Sequence, residues 1–190
     1  MSQDLPPSPP ELLIANSRQF VEWAPLNDTI MGGSSTAGCR VTTEGLLLEG
    51  LVVEEGGGFV SCRSPMLSPP IDLSKYVGLQ LLVDGSGRTL KIALASKNYM
   101  SGIRGLFSGG LRWVASIPTE VSGTTCVQIP FKSFQPTVRA NRVSIPIKID
   151  LTSISQFQLL HSKFGQPGKI NSGFKPGNIQ VLLRSISAYN

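Results

Sequence analysis

The side chains that could perform catalysis are few and widely spaced. The chain has one histidine, His161, and no cysteine or carboxylate pair stands near it to complete a zinc site. A serine hydrolase would need a Gly-x-Ser-x-Gly turn to present its nucleophile, and the sequence contains none. Asp28 and Asp72 could be imagined as a glycosidase-like acid/base pair, but each lies in a context typical of a turn or a cap. The sequence therefore predicts a protein that is not an enzyme, with no catalytic, metal-binding or cofactor-binding residues.

One glycine-rich turn superficially resembles a phosphate-binding loop. It reads Asp84-Gly85-Ser86-Gly87-Arg88, and the alternating pattern of residues 90–95 that follows predicts a strand. A phosphate loop is followed by a helix whose N-terminus holds the anion. We therefore interpret the turn as part of a hairpin and expect no nucleotide site.

The three cysteines, Cys39, Cys62 and Cys126, are scattered and contain no Cys-x-x-Cys pair. An odd, scattered set favours reduced thiols that pack as small hydrophobic side chains in strands. The N-terminus lacks the apolar core of a secretory signal and the arginines of a transit peptide, and no run of eighteen apolar residues occurs. We expect a cytoplasmic protein, either free or peripheral on the cytoplasmic face of a membrane.

The net charge of +5 conceals an uneven distribution. Residues 1–80 hold four Lys/Arg and nine Asp/Glu, a net −5, whereas residues 81–190 hold thirteen Lys/Arg and three Asp/Glu, a net +10. If the cations of the second half converge, they form an electropositive face for an acidic protein surface, an anionic membrane or RNA. The alternative is a scattered basic surface that maintains solubility. The candidate partner-binding cations are Lys97, Arg104, Arg112, Arg142, Lys163 and Lys169.

The pattern of apolar residues predicts an all-β fold. Residues 1–10 contain four prolines and predict a flexible tail, followed by a short helix over residues 11–20. Beyond it, Val- and Ile-rich segments of period two, separated by Gly, Pro and Ser, predict strands. They cover residues 40–43, 46–54, 59–63, 79–83, 90–95, 111–117, 126–129, 156–161 and 179–186. We predict one domain over residues 11–190, a two-sheet antiparallel β-sandwich of jelly-roll type, with a partner-binding rim at residues 97–110 and 162–177.

A peculiar segment runs from Trp23 to Ser35 and reads W-A-P-L-N-D-T-I-M-G-G-S-S. It resembles the N-D-x-[IV]-M-G-G-x-S signature of the complex I intermediate-associated protein 30 family, and the matching residues are Asn27, Asp28, Ile30, Met31, Gly32, Gly33 and Ser35. Later segments resemble the family's G-G-F-x-S-x-R-S, I-P-F-x-x-F-x-P-x-x-R-G and closing A-Y motifs, with matches at Gly58, Phe59, Arg63, Phe131, Phe134, Pro136, Arg139 and Tyr189. The resemblance covers residues 20–189, with two departures: Ala140 replaces a glycine, and the turn after Asp84 carries an extra residue.

The resemblance implies a galactose-binding-domain-like sandwich and a non-catalytic assembly factor. Its partners would be subunits of an NADH-dehydrogenase-like or other multisubunit membrane complex, and no small-molecule substrate is expected. The motif residues would then be structural, since asparagine and aspartate bond nearby backbone and glycine permits close approach. Arg139 would either clamp the loop of Asn27 and Asp28 or contact a partner.

Two other functions stay open at this point. Trp23 and Trp113 could line the groove of a glycan-binding module, although packing in the core is the simpler role for both rings. The basic half could instead contact RNA in photosystem biogenesis, with an affinity that falls steeply with salt. Against RNA, the phenylalanines fall mostly at core positions rather than among basic residues on a sheet face.

Overall fold

The structure, a computed structural model, describes residues 12–98, 110–138, 141–144, 146–165 and 169–190. Strands dominate this part of the chain. In order they are β1 (Leu12–Ala15), β2 (Ala24–Pro25), β3 (Thr36–Thr42), β4 (Gly45–Val52), β5 (Phe59–Arg63), β6 (Gly78–Asp84), β7 (Thr89–Ser96), β8 (Leu111–Pro118), β9 (Thr125–Pro130), β10 (Gln135–Val138), β11 (Asn141–Arg142), β12 (Ile154–Ser162) and β13 (Gly177–Tyr189). Short 3-10 helices lie at Asp28–Met31, Phe131–Ser133 and Leu151–Ser153.

The strands form two antiparallel sheets. Sheet A has the order β3-β4-β13-β6-β9, with β1 also paired to β13, and sheet B has the order β11-β10-β8-β7-β12-β5-β2. The predicted two-sheet sandwich is confirmed, and each of the nine predicted strands has a counterpart among β3 to β9, β12 and β13. The two-residue periodicity was enough to predict these strands because each sheet buries one of its faces.

The core lies between the sheets and is filled by alternate residues of the strands. On β7, Leu90, Ile92 and Leu94 are fully buried, and on the neighbouring β8 the ring of Trp113 is 1% exposed. Sheet A contributes matching rows from β4, β6 and β13. Burial of each such side chain contributes roughly 1.5–3 kcal/mol, so this apolar interior is the main source of the sandwich's stability.

The prediction of a short helix over residues 11–20 is wrong. Leu12 and Leu13 pair with Ala188 and Ser187 as part of β1, and a turn follows. The physical reason lies in β13, which pairs with β4 only up to Leu183. The rest of β13 therefore has an unpaired edge on that side, where β1 can add. Backbone pairing there outweighs the weak helical preference of an isolated short segment. The proline-rich tail of residues 1–10 lies outside the described residues.

The glycine-rich turn after β6 is not a hairpin. It connects β6 in sheet A with β7 in sheet B, so the chain crosses between the sheets at this point. Within the turn, Arg88 N donates to Gly85 O at 3.1 Å and Gly87 N to Glu120 O at 2.7 Å. The same turn chemistry serves a hairpin and a crossing, and only the strand partners distinguish them.

The prediction of three reduced cysteines is also wrong. Cys39 on β3 and Cys62 on β5 form a disulfide, with Cα atoms 6.0 Å apart. Because β3 belongs to sheet A and β5 to sheet B, the bridge joins the two sheets covalently. Cys126 is free and exposed. The spacing of the cysteines along the chain could not predict this bridge, since the sandwich brings together β3 and β5, which are separated by β4 in the sequence.

Candidate functional site

The carboxylate of Asp28 is the centre of a buried polar cluster that is built from the peculiar segment. Asp28 opens the 3-10 helix and is fully buried. Its Oδ1 accepts from Ser35 N at 2.9 Å, and its Oδ2 accepts from Ser35 Oγ at 2.6 Å, from Gly58 N at 2.6 Å and from Phe59 N at 3.2 Å. Ser35 Oγ in turn accepts from Val53 N at 2.9 Å. One side chain therefore joins the segment before β3 to the turn between β4 and β5.

The ionisation of Asp28 follows from this geometry. Burial alone would raise the pKa of the carboxyl group, but the hydrogen bonds from Ser35, Gly58 and Phe59 outweigh burial and lower the pKa below its ordinary value. Asp28 is therefore ionised at neutral pH with both oxygens engaged, which suits a cross-link and not a general base. Asp72, the imagined partner, is exposed and accepts from Ser74 N at 2.9 Å, so the two carboxylates share no hydrogen-bonding neighbour.

The glycines of the segment leave room for this carboxylate. A Cβ atom at Gly33 or at Gly57 would overlap the side chain of Asp28, because the backbone passes directly against it on both sides. Gly32 ends the 3-10 helix with a φ of +85°, a left-handed conformation that favours glycine. Asn27 adds a bond from Nδ2 to Ala37 O at 3.0 Å. Gly57 belongs to the site as well, although it was not among the candidate site residues.

Two apolar side chains of the same segment point away from the cluster. Ile30 is 65% exposed and Met31 is 63% exposed. They lie on the 3-10 helix whose first residue is held by four hydrogen bonds, so the loop presents them from a fixed backbone. We call this pair the apolar tip. Neither residue contributes to the core, and the two neighbouring side chains form a small exposed apolar contact on a fixed loop.

The two tryptophans do not form an open sugar-binding groove. Trp113 lies in the core, and its Nε1 donates to Ile147 O at 3.2 Å. Trp23 is half-buried against the fully buried Phe20, with ring centroids 5.3 Å apart at an edge-to-face angle of 87°. Trp113 borders the groove described below but is 1% exposed, and Trp23 is half-buried, so the two rings offer a sugar little surface for stacking.

The remaining motif residues take core and edge positions. Phe131 and Phe134 are 7% and 5% exposed and pack at 6.1 Å where the 3-10 helix carries the chain from β9 in sheet A to β10 in sheet B. Beside them lies a groove of about 920 Å³, lined by Pro136, Arg142 and the apolar side chains of Ile147, Ile149 and Leu151 among others. Arg139 and Arg104 lie outside the described residues, so the proposed clamp of Arg139 stays a prediction.

The single histidine is buried and has lost its proton. His161 on β12 stacks on Phe174 at 5.3 Å, its Nε2 accepts from Lys175 N at 3.2 Å, and its Nδ1 lies 3.3 Å from Thr89 O. Burial, helped by the charge of Arg88, lowers the pKa of His161 to about 4. A neutral ring with both nitrogens engaged is a packing element. In the described residues, His, Cys, Asp and Glu nowhere form a group of three able to hold a metal.

The outward side of sheet B carries four cations. Gln158 on β12 lies opposite Arg63 on one side and Ala93 on the other, and Ala93 lies opposite Val114 on β8. At the other edge, Thr137 on β10 lies opposite both Arg112 and Arg142. Opposed residues share a face, and so do residues two apart on a strand. The outward positions therefore include Arg63, Lys91, Arg112 and Arg142, which we call the cationic face.

Acidic residues are missing from this face. The strands of sheet B contain no Asp or Glu at any described position. Burial lowers the pKa of Lys91, and burial together with the charge of Arg63 lowers that of Arg112. Lys91 Nζ donates to the carbonyls of Phe164 and Gly165, and Arg112 Nη2 donates to Gln156 Oε1 at 3.0 Å. The partners that hold these cations are neutral, so the face keeps its positive charge.

Sheet A is different, because its outward charges are paired. Arg40 bonds Glu49 across β3 and β4 at 3.1 Å. Arg184 on β13 bonds Asp84 at 2.8 Å and Glu44 at 3.1 Å. The excess of cations in the second half of the sequence is thus concentrated, in part, on one side of the sandwich.

The cations predicted from sequence do not all converge. Arg112 and Arg142 lie on the cationic face, whereas Lys97 follows β7 and Lys163 follows β12. Because β7 and β12 are antiparallel neighbours, Lys97 and Lys163 lie at opposite ends of sheet B. The two long connections therefore leave sheet B at opposite ends, and most of the first, residues 99–109, lies outside the described residues. Lys163 pairs with Glu54 at 3.9 Å. Lys169 is exposed in the second connection. Arg63 was identified only as a structural motif residue, and Lys91 was missed, although the basic and apolar alternation around Lys91 signalled an outward position.

Comparison with known proteins settles the relationship. The family model of complex I intermediate-associated protein 30 (CIA30) matches residues 12–181, most of the chain. The chain belongs to the CIA30 family. Among curated proteins no sequence matches at a significant level. Within the described part of this CIA30-family chain, no helix is long and apolar enough to cross a membrane.

Solved structures similar to this CIA30 chain are carbohydrate-binding modules and agarases. A family 11 carbohydrate-binding module from Clostridium thermocellum, in complex with a β-1,3-1,4-mixed-linked tetrasaccharide, is 17% identical, with a TM-score of 0.62 over 97% of this chain and 98% of that one. The same family's module in the cellulase Lic26A-Cel5E of that organism is 17% identical, with a TM-score of 0.60 over 97% and 96%. An agarase is 11% identical, with a TM-score of 0.55 over 94% of this chain and 24% of its own. At these identities the likeness shows the sandwich fold alone.

Proposed function

We propose that the protein is a non-catalytic assembly factor that docks on intermediates of an NADH-dehydrogenase-like complex of the complex I type. Membership of the CIA30 family supports association with complex I subunits. The observation that carries the docking role is the apolar tip. A fully buried, ionised carboxylate with four donors fixes a loop that exposes Ile30 and Met31. Such a rigid apolar contact loses little entropy on binding, as a docking module requires.

Co-purification under mild detergent tests this proposal. Tagged wild-type protein should retain subunits of the membrane complex, identified by mass spectrometry. The double variant Ile30→Ser/Met31→Ser should lose most of that retention while keeping the wild-type melting temperature, because neither side chain is in the core. Val121→Ser, which removes another exposed apolar side chain (79% exposed), is the matched control and should retain the subunits. Repeated recovery of no complex subunit by the wild type would refute the proposal.

The cellular location is a second part of the proposal. We place the protein in the cytoplasm, peripheral on the cytoplasmic face of the membrane that holds its client. Cytoplasmic thiol systems keep most cysteines reduced, so the bridge between Cys39 and Cys62 counts against this location. Trapping thiols in intact cells with a membrane-permeant alkylating reagent decides the matter. A pair that is already bridged in the cell would place the protein in an oxidising compartment.

Glycan binding is the weaker alternative. The solved carbohydrate-binding modules share the fold, but Trp113 is 1% exposed and Trp23 is half-buried in this chain, which leaves a sugar ring little to stack on. A glycan array that includes mixed-linked glucans would overturn this preference if it showed saturable binding.

A further inference from the structure

The cationic face has the dimensions of a binding surface for a short extended segment. From β11 to β5 there are five inter-strand steps of about 4.8 Å each, so Arg142 and Arg63 are separated by roughly 24 Å across the strands. An extended chain rises about 3.3 Å per residue, and roughly seven residues would cover that distance. Arg112 lies between the two, on the row that also holds Thr137 and Arg142.

The chemistry of the face favours carboxylates. Arginine presents a planar fork of N–H donors that matches a carboxylate in two parallel hydrogen bonds. Beside the arginines lie the amides of Gln156 and Gln158, which donate to Ser64 O and Ser61 Oγ at 2.9 Å and keep their places without an ion. The described strands of sheet B supply no carboxylate, so an anion bound on this face would relieve the mutual repulsion of Arg63 and Arg112.

We propose that the outward face of sheet B, through Arg63, Arg112 and Arg142, binds an acidic extended segment of a partner protein. The proposal rests on the proposed docking function and names the chemistry of the partner.

The other anionic partners fit this face less well. Single-stranded RNA needs aromatic rings to stack its bases, and the described outward positions of sheet B hold one ring, Phe59, at the far end of β5. Side chains that bind a bilayer surface have to protrude from the protein, whereas Arg63, Lys91 and Arg112 are half-buried. The exposed large apolar residues of the described chain all lie off the strands of sheet B, so nothing on the face would enter a bilayer. A narrow segment with its own carboxylates reaches half-buried guanidinium groups.

Fluorescence anisotropy with a defined probe tests the proposal on the full chain. The probe is a labelled twelve-residue peptide of alternating Glu and Ser, and its Gln counterpart is the neutral control. The variant is Arg63→Gln/Arg142→Gln. The matched control is Arg40→Gln/Arg184→Gln, which removes the same two charges from the outward side of sheet A. We expect the double variant on sheet B to weaken binding of the Glu peptide at least tenfold and the control to weaken it less than twofold.

The contrary results are clear. Equal weakening by both double variants would make the binding an effect of net charge and overturn the proposal, and so would no binding of the Glu peptide by wild type at low salt. Tighter binding of polyuridylate, or of vesicles with 30% phosphatidylglycerol, through Arg63 and Arg142 would also overturn it in favour of RNA or a membrane. Thermal melts of every variant show whether it is folded, and Arg63→Lys/Arg142→Lys, which keeps the charge but not the fork, should restore only part of the affinity.

Co-purification separates this inference from the proposed function. If wild type retains complex subunits and Arg63→Gln/Arg142→Gln retains them equally, the cationic face is not the docking surface while the function stands. If wild type retains none, the function fails, and the peptide measurement still decides whether the face binds acidic segments.

Discussion

The sharpest prediction concerns Asp28→Asn, which keeps the shape of the side chain and removes its charge. An amide has one acceptor oxygen where the carboxylate has two. In its better orientation the oxygen takes the place of Oδ2 and keeps the donors Ser35 Oγ, Gly58 N and Phe59 N, while the NH2 group faces Ser35 N. A buried N–H without an acceptor costs roughly 1–3 kcal/mol, and the bonds that remain are no longer charge-assisted. We expect a total loss of about 3–5 kcal/mol in the free energy of unfolding.

Thermal and urea unfolding followed by circular dichroism measure this loss. At this chain length 1 kcal/mol corresponds to roughly 2–4 °C, so the melting temperature should fall by about 6–20 °C. Asp72→Asn is the control, because its exposed carboxylate serves only a local turn, and its melting temperature should stay close to that of wild type. The dependence of stability on pH also follows. Because folding lowers the pKa of Asp28, its contribution to the free energy of unfolding is complete at a pH above the ordinary pKa and is lost as the pH falls through the pKa of the folded protein. An Asn variant that melts within 1 °C of wild type would refute the argument that Asp28 is a cross-link.

Three further predictions test other parts of the fold. The pKa of His161 is about 4 in the folded protein against an ordinary 6.5, so its contribution to the free energy of unfolding should be complete above pH 6.5 and should fall by roughly 3 kcal/mol as the pH falls to 4. An imidazole NMR signal that titrates near pH 6.5 in the folded protein would contradict this. The bridge between Cys39 and Cys62, separated by 23 residues, should contribute about 3 kcal/mol, measured as a lower urea midpoint with dithiothreitol; without reductant the native protein should show one reactive thiol, Cys126, and three reactive thiols would show that the bridge is absent. Gly33→Ala should lower the melting temperature by more than about 5 °C because the new Cβ overlaps Asp28, while Gly38→Ala, whose Cβ meets nothing within 4 Å, should not; equal melting of the two variants would remove the close-approach argument.

The main strands could be predicted because their periodicity is local. In β7 the buried Leu90, Ile92 and Leu94 alternate with outward residues, and the pattern needs no knowledge of the partners. β1 could not be predicted in this way, since its conformation is decided by pairing with Ala188 at the other end of the chain. The shortest strands, β2 and β11, have two residues each and carry no periodicity.

The site was visible as residue types but not as geometry. Asp28 and the glycines around it were unusual enough to be identified, yet its donors Gly58 and Phe59 lie thirty and thirty-one residues further along. Their approach depends on how β4 and β5 are placed in different sheets. The bridge between Cys39 and Cys62 was missed for the same reason. The cationic face required the register of six strands, from β11 to β5, because charge in a sequence does not say which residues become neighbours.

The first strand has a consequence for handling the protein. β1 satisfies the backbone groups of β13 next to Ile186 and Ala188, and its side chains Leu12, Ile14 and Ala15 pack on the core. A shortened chain that starts at Asn16 would lose only Ala15 from the buried core but would expose a row of unsatisfied N–H and C=O groups, the usual template for sheet-to-sheet self-association. Such a chain should therefore fold and then form oligomers at high concentration, and any tag is better placed so that it leaves these four residues free to pair.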